Sequence, residues 1–309
     1  MKPKTFKANL IGLGKIAWSL DKDSSHTFTH ANAYLKNKSF NLSAGYSPKL
    51  IDRKSFISHH NINTFSSVDS MLASERPDIV SVCSPVNAHF QNCIQLINFK
   101  IHKIWLEKPP FKNIAEHRKI LKLIDKSETS NVCVNFFRRF LPPFIDLKRY
   151  LKNKNITQIV VTYSQGLLEN GVHYLDLVQY FTSATSFKLI KKFSPKHLSP
   201  SFSIILDTGC TVHFIGSETH FHDIEMTILA GNQKIIINNN AEIIYKKKAK
   251  TSLAGRKYHF LQHKVVSLNA FFENYNSYVL SAIKNNTAFK TSNLKTSYFA
   301  MDVINSLKK

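Results

Sequence analysis

The chain has 309 residues, 43% of them hydrophobic and 20% charged, which allows a large core and about two domains and excludes a disordered protein. Its 42 Lys and Arg against 20 Asp and Glu leave a formal charge of +22, which favours anionic partners such as nucleic acid, an anionic membrane or phosphorylated metabolites. Cys83, Cys93, Cys133 and Cys210 form no C-x-x-C pair, which argues against a disulfide framework or a zinc module and for reduced thiols in the cytoplasm.

Near the N-terminus, Lys15 and two glycines interrupt the apolar stretch around Leu10 too early for a signal peptide, and no later run has the length of a membrane span. The first strand, Phe6–Ile11, runs into Gly12-Leu13-Gly14-Lys15-Ile16-Ala17, a G-x-G-x-x-A turn leading into a helix. Such a turn brings backbone N–H groups to a pyrophosphate, with glycine wherever a β-carbon would block the approach. An ordinary tight βα turn is the competing reading of the motif alone.

Further strands are expected at Phe40–Tyr46, Ile79–Cys83, Lys103–Leu106 and Asn131–Asn135, with helices at Ala31–Asn37, Val68–Ser74, Ala88–Asn98 and Asn113–Lys126. This alternation predicts a parallel sheet built from βαβ units. After about Phe140 the pattern changes to helices near Phe144–Leu151 and Val172–Phe181 around a strand at Thr157–Tyr163. Six strand-like runs follow between Phe187 and Tyr245, several joined by short turns such as Asp207-Thr208-Gly209 and Gly231-Asn232, which predicts antiparallel hairpins. Two long helical segments, Val266–Ile283 and Leu294–Leu307, are expected to close the chain. The fold class is therefore α/β, with a Rossmann domain over residues 1–127 and an α+β domain on a mostly antiparallel open sheet over 128–309, whose C-terminal helix packs back on the first domain.

Polar groups gather where the first-domain strands end, the edge at which open α/β sheets bind ligands. Ser84-Pro85-Val86-Asn87-Ala88-His89 follows one strand, and Glu107-Lys108-Pro109 ends the next. In the second half, Gly166-Leu167-Leu168-Glu169-Asn170-Gly171-Val172-His173-Tyr174-Leu175-Asp176 leads into a helix. In order and spacing these motifs, with the Asn135 to Arg139 stretch, resemble the Gfo/Idh/MocA family, the glucose–fructose oxidoreductase and inositol dehydrogenase-like enzymes, over nearly the whole chain.

The resemblance implies hydride transfer between a nicotinamide and a hydroxyl or keto group of a sugar or nucleotide sugar, with Lys108 and His173 sharing the substrate hydroxyl. An imidazole can take the hydroxyl proton, and an ammonium stabilises developing alkoxide charge. Asp176, one turn beyond His173, orients the imidazole or holds a neighbouring hydroxyl, and Glu169 stands where the family often has aspartate. Arg139, Glu169 and Asn170 complete the candidate substrate residues, and the Lys108–Pro109 bond is implied to be cis.

The dinucleotide is assigned to Gly12, Gly14, Lys15, Ile16 and Ala17 at its pyrophosphate, and to Ser84, Pro85, Asn87, His89, Glu107, Lys108 and Pro109 towards the nicotinamide. No acid lies between Ser24 and Leu50, so Ser47 and Lys49, with Arg53 nearby, favour the 2′-phosphate of NADP; Asp52 is the competing NAD feature. No metal is expected, since the two imidazoles of the His220, His222 and Asp223 cluster have no third ligand of clear position. The alternatives are a dinucleotide-binding regulator without turnover and, third, a basic nucleic-acid or membrane binder. The resemblance also implies a homo-oligomer formed through the open face of the second sheet.

Overall fold

The computed structural model describes residues 5–127, 129–193, 197–219, 221–250 and 258–308. The chain forms β1 (Phe6–Ile11), α1 (His30–Leu35), β2 (Phe40–Tyr46), α2 (Leu50–His60), β3 (Asn63–Phe65), α3 (Val68–Glu75), β4 (Ile79–Val82) and α4 (Val86–Asn98). It continues through β5 (Lys103–Leu106), α5 (Ile114–Lys126), β6 (Asn131–Val134), α6 (Pro142–Leu151), β7 (Ile156–Tyr163) and α7 (Val172–Thr182). Seven strands follow: β8 (Phe187–Lys192), β9 (Phe202–Leu206), β10 (Thr211–Gly216), β11 (Ile224–Ala230), β12 (Gln233–Asn238), β13 (Glu242–Lys250) and β14 (Tyr258–Ser267). The last elements are α8 (Asn269–Phe272), α9 (Tyr275–Lys284), α10 (Ala288–Thr291) and α11 (Leu294–Ser306).

Two compact units result, one of residues 1–140 with 272–298 and one of 141–271 with 299–309. The first extends past residue 127 because β6 pairs with β5, from Lys103↔Asn131 to Leu106↔Val134. It also takes in α9, whose Val279, Leu280 and Ile283 are buried in a cluster with Leu10, Tyr34 and Trp105.

The first unit is a six-stranded parallel sheet in the order β3-β2-β1-β4-β5-β6. Its central strands are buried throughout β4 and over the last four residues of β1, as expected of a parallel sheet covered on both faces. The order reverses between β1 and β4, and the carboxyl ends of those strands define the switch point at which such sheets take ligands.

The second unit is an eight-stranded sheet, β14-β13-β12-β11-β7-β10-β9-β8, in which β7 and β10 run parallel and the other neighbours antiparallel. One face, with Ile159, Val161, Phe214, Met226 and Ile235, is buried. Strand alternation puts their neighbours on the opposite face.

Three elements depart from the sequence reading. In place of an ordinary helix after Gly14, Lys15–Ser19 is a π-helix, and Asp21 then holds the following loop by accepting from Phe28 N, Thr29 N and Thr29 Oγ1. The unforeseen α2 buries only Phe56, so it has no apolar stripe for a pattern to reveal. The helix expected from Val266 is instead the end of β14, with Val265 and Val266 paired to Ile244 and Ile243, and α9 begins only at Tyr275. No Gly or Pro marks that boundary, so strand and helix read as one apolar segment. Among the described residues no helix is long and apolar enough to cross a membrane.

Candidate functional site

The glycine turn is built against the end of β4. Gly12 has φ +89°, and a β-carbon there would meet Ser84 N at 2.6 Å and the carbonyl carbon of Cys83 at 2.8 Å. At Gly14 the same atom would meet nothing within 4 Å. Gly12 is therefore fixed by close backbone approach, whereas Gly14 faces open space, the cradle that a pyrophosphate needs and a side chain would fill. Ala17 is fully buried, so the third small residue serves packing. Lys15 is exposed and Ile16 half-buried. A groove of about 580 Å³ runs from Leu13, Gly14 and Lys15 past Trp18 to Asp52 and His59.

At the far end of this groove the residues after β2 are already engaged with one another. Ser47 Oγ donates to Asp52 Oδ2 at 2.9 Å and accepts from Lys49 N at 3.2 Å. Arg53 Nη1 donates to the carbonyls of Ser47 and Pro48. Ser47 is buried and Lys49 exposed.

Beyond β4, Ser84 Oγ accepts from Asn92 Nδ2 at 2.8 Å, and Pro85 and Asn87 lie exposed at the start of α4. His89, an expected cofactor residue, follows in the same segment. It is only 1% exposed, and its ring nitrogens lie 2.8 Å from Ser84 O and 3.1 Å from Pro110 O. Burial lowers its pKa against the raising effect of those carbonyls and of Glu107. His89 therefore braces the loops after β4 and β5 from below.

After β5, Lys108 is half-buried and the Lys108–Pro109 peptide is cis. Glu107 is buried, with Oε1 2.9 Å from His30 Nε2 and 2.5 Å from Asn135 Nδ2, while Oε2 accepts the Lys108 N–H at 3.1 Å. Burial alone raises a carboxyl pKa, yet the hydrogen bond and charge of His30, the Asn135 amide and the Lys108 ammonium outweigh it and hold Glu107 below its ordinary value. Glu107 is thus an ionised support for Lys108 and does not reach into open space. The sequence reading missed His30, which follows the loop tied by Asp21 and has no motif of its own.

Arg139, expected at the substrate, is 2% exposed and donates from Nη1 to Thr291 O at 3.0 Å. It ties the turn after β6 to α10.

In the second unit a π-helix over Leu167–Gly171 runs directly into α7. A β-carbon on Gly171 would strike Leu167 Cδ1 at 2.8 Å and Tyr163 Cε2 at 2.9 Å, so this glycine lets the turn sit on β7. His173 is half-buried on the first turn of α7, Asp176 is buried one turn on, and Glu169 is exposed. Asn170 Nδ2 donates to Ser164 O at 3.1 Å. Residues Glu169, Asn170, His173 and Asp176 are thus collected on one turn and one helix.

A cavity of about 620 Å³ in the same unit is lined by Lys148, Arg149, Lys152, Lys154, Tyr180 and Phe181, none of them a predicted site residue. Several of these cations end α6, where they complement the negative end of the helix. His220 lies outside the described residues, and among those described no three His, Cys, Asp or Glu side chains gather as a metal would require.

Residues 6–136 match the model of an oxidoreductase family with an NAD-binding Rossmann fold, GFO_IDH_MocA. Over 173 residues, 56% of this chain, the sequence is 25% identical to the D-glucoside 3-dehydrogenase of Escherichia coli K12, and the match spans about half of that relative, 46%. Apo scyllo-inositol dehydrogenase from Lactobacillus casei has the same fold, with TM-score 0.77 at 16% identity over 100% of this chain and 96% of that one. So has a super-repressor mutant of Gal80p from Saccharomyces cerevisiae, with TM-score 0.76 at 15% identity over 98% and 95%. The matched stretch, residues 6–136, contains all six strands of the switch-point sheet, so the likeness to that oxidoreductase family is to its NAD-binding Rossmann part.

Proposed function

We propose that the protein is a nicotinamide-dependent dehydrogenase that transfers hydride between the cofactor and a CH–OH or keto group of a sugar or sugar derivative. The observation that carries this reading is the pairing of an open cradle at Gly14 with a half-buried Lys108 held through its own N–H by Glu107. The cofactor supplies hydride acceptance and donation when bound. Lys108 offers its ammonium to the substrate oxygen, and His173 takes or returns the hydroxyl proton, with Asp176 setting the imidazole. The formal charge of +22 favours an anionic substrate such as a nucleotide sugar.

For the cofactor, the occupied state of Ser47 and Arg53 alters the balance struck from sequence. A 2′-phosphate would have to displace the Asp52 carboxylate from Ser47, whereas a ribose hydroxyl can donate to that carboxylate. NAD is therefore the form proposed, in place of NADP. The four buried thiols fit a reducing cytoplasm.

A second copy of the chain is proposed to cover the outer face of the eight-stranded sheet. Register puts Ile205, Ile215, Val160, Leu229, Ile236 and Ile244 on that face.

A regulator without turnover is the second reading, supported by the likeness to the Gal80p structure and by Glu169 in the place of the family's aspartate. The deciding experiment is NADH and NADPH titration by fluorescence, followed by NAD+ reduction with methyl D-glucosides, inositols and UDP-sugars. Turnover abolished in Lys108→Ala and in His173→Ala, with cofactor affinity retained, supports the dehydrogenase. Cofactor binding with no turnover of any of these substrates supports the regulator, and indifference to both dinucleotides overturns both readings.

A further inference from the structure

We infer that His30 is a positioning residue for the reacting centre: it sets the Glu107 carboxylate, which in turn holds the backbone of Lys108. The inference rests on the reading of Lys108 given above.

Glu107 uses its two oxygens for different tasks. Oε2 accepts the N–H of Lys108 at 3.1 Å, and Oε1 lies 2.9 Å from His30 Nε2 and 2.5 Å from Asn135 Nδ2. A carboxylate held at one oxygen alone can rotate about its last torsion. One held at both cannot, so the direction in which Oε1 is fixed decides where Oε2 meets Lys108.

His30 is itself immobilised on three sides. It is fully buried, its ring centroid is 3.8 Å from that of Trp105, and Nδ1 is 3.0 Å from Ser81 Oγ. Ser81 Oγ in turn lies 2.8 Å from Tyr34 OH. Burial raises the Tyr34 hydroxyl far above its ordinary pKa, so it stays protonated and can donate. An ionised carboxylate only accepts, so His30 Nε2 must carry hydrogen. The contacts are continuous, from Tyr34 OH to Ser81 Oγ, from Ser81 Oγ to His30 Nδ1, and from His30 Nε2 to Glu107 Oε1. The chain joins α1, β4 and β5 and ends on Lys108.

A buried His–Glu pair is by itself weak support for stability, since desolvation offsets the attraction. What sets this pair apart is its terminus, the N–H of the residue assigned to the substrate oxygen. Loss of His30 should therefore release the Lys108 amide and slow turnover, and it should leave the cofactor's hold on Gly12 and Gly14 unchanged.

The test uses the full chain with His30→Leu, which cannot donate, and His30→Gln, whose amide can replace the Nε2 donor. Amide hydrogen exchange at Lys108 is read against Val82 and Leu106 on the adjoining strands. Expected are exchange faster by about tenfold or more at Lys108 alone in His30→Leu, and near-native protection in His30→Gln. On a substrate that the native protein oxidises, kcat should fall about tenfold to hundredfold in His30→Leu, with NADH affinity within about twofold and recovery in His30→Gln. Unchanged Lys108 exchange in His30→Leu overturns the inference, as does equal loss in His30→Leu and His30→Gln. Native turnover in Lys108→Ala would instead sink the underlying reading of Lys108, while the exchange result would still decide whether His30 holds it.

Discussion

A β-carbon placed on Gly12 would lie 2.6 Å from the backbone nitrogen of Ser84, closer than real β-carbons come, so the turn after β1 and the end of β4 are mutually exclusive with any side chain at that position. Gly14, two residues on, has no such neighbour. The two glycines therefore predict opposite phenotypes. Gly12→Ala should destabilise the fold by about 1–3 kcal/mol through strain at positive φ and backbone overlap. Gly14→Val should leave the urea midpoint within error of native and weaken NADH binding at least about tenfold by filling the cradle. Urea unfolding and NADH fluorescence on both variants separate the roles, and a Gly14→Val protein with native NADH affinity would remove the cradle.

The Ser47–Asp52 hydrogen bond predicts cofactor choice. Asp52→Asn removes the carboxylate that competes with a 2′-phosphate, so the ratio of NADPH to NADH affinity should rise by about tenfold, an amount in line with losing one short-range charge repulsion. An unchanged ratio would place the specificity elsewhere.

His117 on α5 predicts part of the acid sensitivity. It is fully buried, Nε2 lies 2.8 Å from Leu294 O, and Nδ1 has no hydrogen-bond partner among the described residues. Burial lowers its pKa from 6.5 to about 4, against the raising effect of the Leu294 carbonyl. The folded protein thus refuses a proton that the unfolded chain accepts. Its contribution is complete above pH 6.5, falls as pH drops through the window from 6.5 to about 4, and amounts to about 3 kcal/mol when fully lost. His117→Gln keeps a donor for Leu294 and does not titrate, so its unfolding free energy should fall less steeply with decreasing pH by about one proton across that window. Parallel slopes for the two proteins would refute the assignment.

Ile215, half exposed on the outer face of the second sheet, is paired with Thr162 of β7 near the middle of that sheet. If a second copy covers this face, Ile215→Lys should shift the protein to monomer in sedimentation velocity with its far-ultraviolet circular dichroism unchanged. A wild-type protein that is monomeric at micromolar concentration would end the proposal.

The sequence alone determined five of the six strands of the first unit, all but β3, and the positions of the motif residues. Runs such as Phe6–Ile11 and Lys103–Leu106 are mostly apolar and buried towards their carboxyl ends because both faces of a parallel sheet are covered, and glycine at residue 12 suits the positive φ there. Such constraints are local, so they leave a mark in the order of residues. Only the tertiary structure decided what His89, Arg139, Ser47 and His30 do, because each is defined by a partner distant in the chain or by a neighbouring group that competes for its hydrogen bonds. Arg139 looks available in sequence until Thr291 O, from a segment 152 residues later, takes its guanidinium. His30 looks idle until β4 and β5 bring Ser81 and Glu107 to its two nitrogens. Polar side chains are interchangeable in a pattern of residues, and burial gives each one a single partner set.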